Sequence, residues 1–328
     1  MNNIDFYCKK INKLQKTNKY VNKLGNKIYE LTGGFKKYSN DVSKRNTNLE
    51  ELFEYIKTNV NNKKEKTKEK YLVILMGPPA SGKTLARKFA SKYIYKHLEN
   101  TNGNDNDIDK IFNSFIDISV DEFVNDGAVI NSTNLEEKTG KELFADYAQK
   151  YKSLLASSVD KNSELFTTLN DETQKLYFNL RPNFDAIGNI IFNLASYLEM
   201  NIFYETIGNS SDIEDLAKNF CAYFGYNLLV IYPHVSDKAE HLRRLDERRK
   251  EDGRLVKSEY FEKLLVSSDI VFDKLRTSIP LLLSPKFKKA VFIKFKNDTK
   301  KPDNYDFTNF EIEKYHSFNY DNKKPDMS

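Results

Sequence analysis

An α/β fold, a parallel five-stranded sheet with helices on both faces, is what this sequence predicts. Three observations carry that expectation. Five short apolar runs (YLVILM at 71–76, NSFIDISV at 113–120, NIFYET at 201–206, YNLLVIYP at 226–233 and AVFIKF at 290–295) are separated by stretches of helical periodicity. The runs are largely continuous rather than alternating, as strands covered on both faces require. The first run leads straight into GPPASGKT at 77–84 and then a helical pattern. The spacing G-x-x-x-x-G-K-T between a strand and a helix is that of a phosphate-binding loop, which places the fold in the P-loop NTPase class.

The elements follow in order. Residues 1–70 read as a helical N-terminal extension ending in a charged linker. Leu14, Tyr20, Leu24, Ile28 and Leu31 recur at helical spacing, LEELFEYIKTNV at 49–60 is amphipathic, and NKKEKTKEK at 62–70 is a solvated charge run. A single α/β domain is expected over 71–296. Within it, LARKFASKYIYKHL (85–98) is helical and ENTNGNDNDIDK (99–110) is a polar insert. Three helices are expected at 142–159, 163–180 and 184–200, inside a helical insertion over about 125–200. Further helices are expected at 210–225, 238–252 and 258–283. Residues 297–328 read as a polar, irregular C-terminal tail whose aromatic residues could dock on the core.

Composition narrows the class. The chain has 328 residues, 39% hydrophobic and 30% charged, with a net charge of +5. That near balance does not by itself argue for nucleic acid. Cys8 and Cys221 form no metal or redox spacing, and His97, His234, His241 and His316 read as surface or loop residues. No apolar run approaches the ~18 residues of a membrane span, and the N-terminus has no signal-like apolar stretch. A cytoplasmic protein without a membrane partner is expected; a protein partner is not indicated.

Ligands on such sheets sit beyond the carboxyl ends of the strands, so the loops there carry the candidate chemistry. In the first, Gly77, Pro78, Pro79, Ala80, Ser81, Gly82, Lys83 and Thr84 form the candidate nucleotide cradle. Backbone amides would curl around phosphate oxygens, Lys83 would reach the β- and γ-phosphates, and the Thr84 hydroxyl would ligate Mg²⁺. The implied ligands are ATP or GTP with Mg²⁺. In the second loop, Asp121 follows a strand and can accept a proton from an attacking hydroxyl. Two other roles stay open for it: helix cap, and Walker-B-like Mg²⁺ ligand with Glu122 activating water. Asp117 lies inside the strand as a partly buried residue. In the third, Glu205, Thr206 and Asn209 offer hydrogen bonds to a polyhydroxy substrate, whereas Ser210 to Asp212 read as a helix cap. The fourth segment, HLRRLDERRKEDGR at 241–254, holds five arginines interleaved with acids. Some must be solvated in i,i+4 pairs, and one or two can face a transferring phosphoryl.

Together the loop, Val120-Asp121-Glu122-Phe123, Glu205-Thr206 and the arginine-rich segment resemble the zeta toxin family of P-loop kinases, over about 70–295. The resemblance implies a nucleotide-kinase-like topology. It also implies transfer of a γ-phosphoryl to a hydroxyl of a small acceptor, a sugar nucleotide such as UDP-N-acetylglucosamine. Lys83 and Thr84 match the family's loop residues, Asp121 its catalytic base and Glu205 its substrate-side glutamate. Arg248, in Asp246-Glu247-Arg248, and Arg254, in Asp252-Gly253-Arg254, match its phosphate-clamping arginines. The chain departs from the family in Pro79-Ala80 where Pro-Gly is usual, in Asn209 where arginine is common, and in a longer stretch between Asp121 and Glu205. A polynucleotide 5′-kinase, a P-loop ATPase and a nucleotide-dependent binding module are the alternatives.

Overall fold

A computed structural model describes residues 67–99, 111–112, 114–119, 121, 128–130, 137–160, 163–197, 199–208, 212–254, 258–298 and 307–321. The expected helices within 1–66, most of the polar insert at 99–110, and Asn209 with the Ser210–Ser211 cap lie outside them.

Strand β1 (Tyr71–Met76) feeds helix α1 (Lys83–Tyr93), which is extended by a π-helical turn to Leu98. Then come β2 (Phe115–Ile118), the short strands β3 (Ala128–Ile130) and β4 (Glu137–Thr139), α2 (Gly140–Ala156) and α3 (Glu164–Tyr197). The chain continues through β5 (Asn201–Thr206), α4 (Asp212–Phe224), β6 (Asn227–His234), α5 (Lys238–Asp252), α6 (Ser258–Ser278), β7 (Lys289–Lys296) and β8 (Ile312–Asn319).

The main sheet has the order β2-β5-β1-β6-β7-β8, and β3 pairs with β4 as a separate hairpin. The first five strands of that order are parallel, and β8 is antiparallel to β7. The sheet therefore has six strands, not the five expected. The sixth arises within the segment read as an irregular tail. Its residues alternate between half-buried and exposed, the pattern of an edge strand with one face in water, so it lacks the apolar run that marks the other five.

The two faces of each parallel strand sort by period two. Leu72, Ile74, Met76, Ile202, Leu228, Val230 and Phe292 point to one side, where α3 brings Phe192 and Ala195, α4 brings Ile213 and Ala217, and α6 brings Phe272 and Leu275. Tyr71, Val73, Leu75, Phe203, Leu229, Ile231 and Val291 point to the other, against Ala86, Phe89 and Tyr93 of α1. Each fully buried large side chain contributes about 1.5–3 kcal/mol, which is why these runs stay on the sheet without alternating polarity.

Two helices expected on either side of Pro182 form one continuous helix, α3. A proline in a helix interior removes one hydrogen bond. Here packing carries the helix at both ends: Phe166 and Leu169 sit against Tyr151 of α2, and Phe192 and Ala195 sit on the sheet. Among the described residues no helix is long and apolar enough to cross a membrane.

The chain leaves β1 for β2 on one side of the sheet, returns through β5 and crosses to β6 on the other. The reversal lies beside β1. A crevice at the carboxyl ends opens at such a point, and the loop after β1 borders it.

Candidate functional site

The loop at 77–84 turns on three residues in the left-handed region: Gly77 (φ 142°), Ala80 (φ 62°) and Gly82 (φ 102°). A Cβ on Gly77 would stand 2.8 Å from Ser81 Oγ, so the close approach there requires glycine. Gly82 is the N-cap of α1 and lends it no side-chain cap. The Lys83 ammonium folds back onto the loop, donating to Gly77 O (3.0 Å) and Pro78 O (3.1 Å). Two outside donors pin the loop: Asn297 Nδ2 on Ser81 O (2.8 Å) and His241 Nε2 on Pro79 O (2.7 Å). Ser81 Oγ is buried without a hydrogen-bond partner. An uncapped helix start, an orphaned hydroxyl and a buried ammonium form a donor set that fits an oxyanion such as a polyphosphate. Thr84 is exposed at the start of α1, next to Lys83. Burial pushes the Lys83 pKa down, while Glu205 and Asp121 push it back up.

Glu205 is expected on the acceptor side. It accepts instead from Arg87 Nη2 (2.7 Å), and its other oxygen lies 3.7 Å from Lys83 Nζ. Arg87 also pairs with Asp117. The chain of charges Asp117–Arg87–Glu205–Lys83 thus joins β2, α1, β5 and the loop. Arg87 escaped the sequence analysis, although it sits four residues after Lys83 and so on the same face of α1. The Thr206 hydroxyl accepts from Gly208 N (3.2 Å) and shapes the turn after β5.

Asp121 is surrounded by donors. Tyr177 donates its hydroxyl proton to Oδ1 at 2.7 Å. Arg248 and Arg254 face Oδ2 at 3.4 and 3.6 Å, and Arg181 lies 3.9 Å from Oδ1. Burial by itself would raise the Asp121 pKa, but Arg248, Arg254, the Tyr177 hydrogen bond and Lys83 outweigh it and hold the carboxyl well below the usual range. The structure brings Lys83, Asp121, Glu205, Arg248 and Arg254 together, with Glu205 on Arg87 and Lys83 rather than in the acceptor position expected for it.

The arginine-rich segment sorts by position on α5. Arg243 and Arg244 pair with Glu240, and Arg243 also with Glu247, all near the surface. Arg249 lies over the Tyr151 ring (3.6 Å) and bonds Asn170, tying α5 to α2 and α3. Arg248 and Arg254 are both held by Asp252 Oδ2 (3.1 and 2.7 Å). Between them Gly253 ends α5 at φ 72°, where a Cβ would run into Phe144 O. Only glycine lets the chain turn back there and present Arg254 to Asp121.

His241, expected as a surface or loop residue, is fully buried edge-on against Phe261 (4.5 Å). Burial lowers its pKa to about 4. It is neutral, and because a carbonyl can only accept, its Nε2 carries the proton given to Pro79 O. A cavity of about 230 Å³ opens beside Asp121, walled by Tyr177, Phe178, Arg181, Arg248, Arg254 and Tyr260 among others.

No family model matches the chain. Over 320 residues, 93% of this chain and 85% of its own length, an uncharacterized protein, L872, of Acanthamoeba polyphaga mimivirus is 28% identical to it.

Proposed function

We propose that the chain is a P-loop kinase of the zeta toxin type. It would move the γ-phosphoryl of ATP or GTP, with Mg²⁺, to a hydroxyl of a small acceptor, a sugar nucleotide such as UDP-N-acetylglucosamine. One observation carries the reading: a loop whose donors fit an oxyanion and a half-buried carboxylate held below the usual pKa range face one crevice, with Arg248 and Arg254 on the carboxylate.

The residues divide the work. The loop amides and Lys83 hold the polyphosphate, and Lys83 exchanges Gly77 O and Pro78 O for phosphate oxygens. The Thr84 hydroxyl would hold Mg²⁺, which would supply charge neutralisation on the polyphosphate. Arg248 and Arg254, aligned by Asp252, stabilise charge on the moving phosphoryl. Asp121 takes the proton of the acceptor hydroxyl, which enters through the adjoining cavity. Glu205, held by Arg87, steadies Lys83 rather than the acceptor.

The pairing of Arg243 and Arg244 with Glu240 favours a small acceptor over a nucleic acid, because it removes two cations from any basic track. The test is labelled ATP with UDP-N-acetylglucosamine and related sugar nucleotides, or with a 5′-hydroxyl oligonucleotide, at two salt concentrations. Label on the sugar nucleotide, lost in Lys83→Ala, is the expected result. Label on the oligonucleotide alone, falling with a log–log salt slope of roughly −0.7 per phosphate contacted, overturns the small-molecule reading. Phosphate release at a rate independent of acceptor points to an ATPase or a binding module.

A further inference from the structure

We propose that Tyr177 and Arg181, one turn apart on α3, are positioning residues that decide which oxygen of Asp121 meets the acceptor hydroxyl. The inference rests on the kinase reading above and extends it to residues of the helical insertion.

The argument is one of proton direction. A guanidinium has only donors. Arg181 Nη1 bonds the Tyr177 hydroxyl, so that oxygen is the acceptor in the contact. The phenolic proton is then committed to the hydroxyl's other partner, Asp121 Oδ1, at 2.7 Å. The Arg181 guanidinium also lies over the Tyr177 ring, 5.6 Å from its centroid, which restrains both side chains. Oδ1 is therefore occupied by a short, directed hydrogen bond. Oδ2 differs. Its partners, Arg248 at 3.4 Å and Arg254 at 3.6 Å, are longer contacts, and both belong to side chains that turn to the phosphoryl group when it is present.

Among the described residues, five groups face the carboxylate: Tyr177 and Arg181 from α3, Arg248 and Arg254 from α5 and the turn after it, and Lys83 from the loop. Phosphate draws the last three; the α3 pair remains. Oδ2 is thus the oxygen that is freed. In the transfer, the acceptor O–H bond breaks and its proton passes to Oδ2. The acceptor oxygen bonds to the γ-phosphorus as the bond from that phosphorus to the bridging oxygen breaks, and the nucleoside diphosphate leaves with that electron pair. The cavity walled by Asp121, Tyr177, Phe178 and Arg181 is where the hydroxyl approaches.

The experiment measures transfer from MgATP to UDP-N-acetylglucosamine, and to water when no acceptor is added, in Tyr177→Phe, Arg181→Ala, Arg181→Lys and the Tyr177→Phe/Arg181→Ala double variant. Melting temperatures check that each is folded. Tyr177→Phe and Arg181→Ala are expected to lower kcat roughly 10–100-fold while KM for MgATP stays within about twofold. The double variant is expected to be no worse than either single one, because the residues act in series. Arg181→Lys, still a pure donor, should recover most of the rate. Unchanged kcat in Tyr177→Phe, multiplicative losses in the double variant, or losses confined to KM or melting temperature overturn the inference while an active wild type leaves the kinase reading standing. A wild type that transfers to water alone, or to neither, overturns both.

Discussion

His241 shows how one side chain can couple a helix to a loop. The buried ring reaches from α5 to Pro79 O, so α5 and the loop share a fixed point. Its pKa of about 4, against the ordinary 6.5, has a definite sign for stability. Below pH 6.5 the unfolded chain takes up a proton that the folded chain refuses until about pH 4. Stability is complete above pH 6.5 and falls as pH drops through that window, by about 3 kcal/mol at most. Urea melts of His241→Gln, which keeps an N–H donor and loses the titration, should be flatter than wild type between pH 4 and 6.5; parallel curves would contradict this account. Asp121 allows a second test. Asp121→Asn should cut turnover about 10²–10⁴-fold with nucleotide affinity retained. It also leaves Arg181, Arg248 and Arg254 without their shared counter-charge. Its ligand-free melting temperature should therefore fall, by the equivalent of about 1–3 kcal/mol, and the stabilisation on adding nucleotide should match that of wild type. Ala80 sits at φ 62°, where the resembled family usually has glycine. Ala80→Gly should relieve about 1 kcal/mol of local strain, visible as unchanged or higher stability despite the added chain entropy. His241 and Arg87 were not legible as site residues, since burial and ion pairing between distant segments leave no mark on local spacing. Lys83 and Asp121 were singled out by their distance from a strand end, whereas Arg248 and Arg254 were separated from the neighbouring arginines only by the resemblance of Asp246-Glu247-Arg248 and Asp252-Gly253-Arg254 to a family pattern.

Among the elements, legibility followed burial. Strand β5 and helix α5 have the bounds that periodicity predicts, Asn201–Thr206 and Lys238–Asp252. The first lies between β2 and β1, and the second is capped by Asp237, whose side chain accepts from Ala239 N, and stopped by Gly253. Strand β8 was hidden because its residues are at most half-buried and alternate with exposed ones, so no apolar run marks it. Its contribution is nonetheless substantial: Ile312 and the nearby Phe310 join one side of the sheet and Phe318 the other, with Phe310 centred 4.7 Å from Phe295. Lys314 adds an ion pair to Asp273 of α6. Removing residues 299–328 should cost about 3–5 kcal/mol of stability and bare the edge of β7, so light scattering should report self-association on warming. A truncated chain that melts like the full one would show that β8 is dispensable.

At the scale of the whole molecule, the crevice is assembled from parts far apart in sequence: Lys83 and Arg87 near the start of the sheet domain, Tyr177 and Arg181 in the insertion, Arg248 and Arg254 around the end of α5. The order of the strands was not readable beforehand, because local patterns do not say which strands become neighbours. The expectation that ligands sit beyond their carboxyl ends needs no such order. Helix α3 ties these parts together. Its 34 residues make a rod roughly 50 Å long, clamped at one end to α2 and at the other to the sheet. Pro182, directly after Arg181, has no amide to offer the carbonyl of Phe178 one turn earlier. The rod is thus missing a rung between the cavity lined by Tyr177, Phe178 and Arg181 and the anchor at Phe192, the natural place for a hinge. Amide deuterium exchange should be faster around residues 178–186 than toward either end of the helix. Pro182→Ala should restore the rung, slow that exchange and raise stability by up to about 3 kcal/mol. If the hinge serves admission of the acceptor, the stiffened helix will turn over more slowly even though it is the sturdier protein.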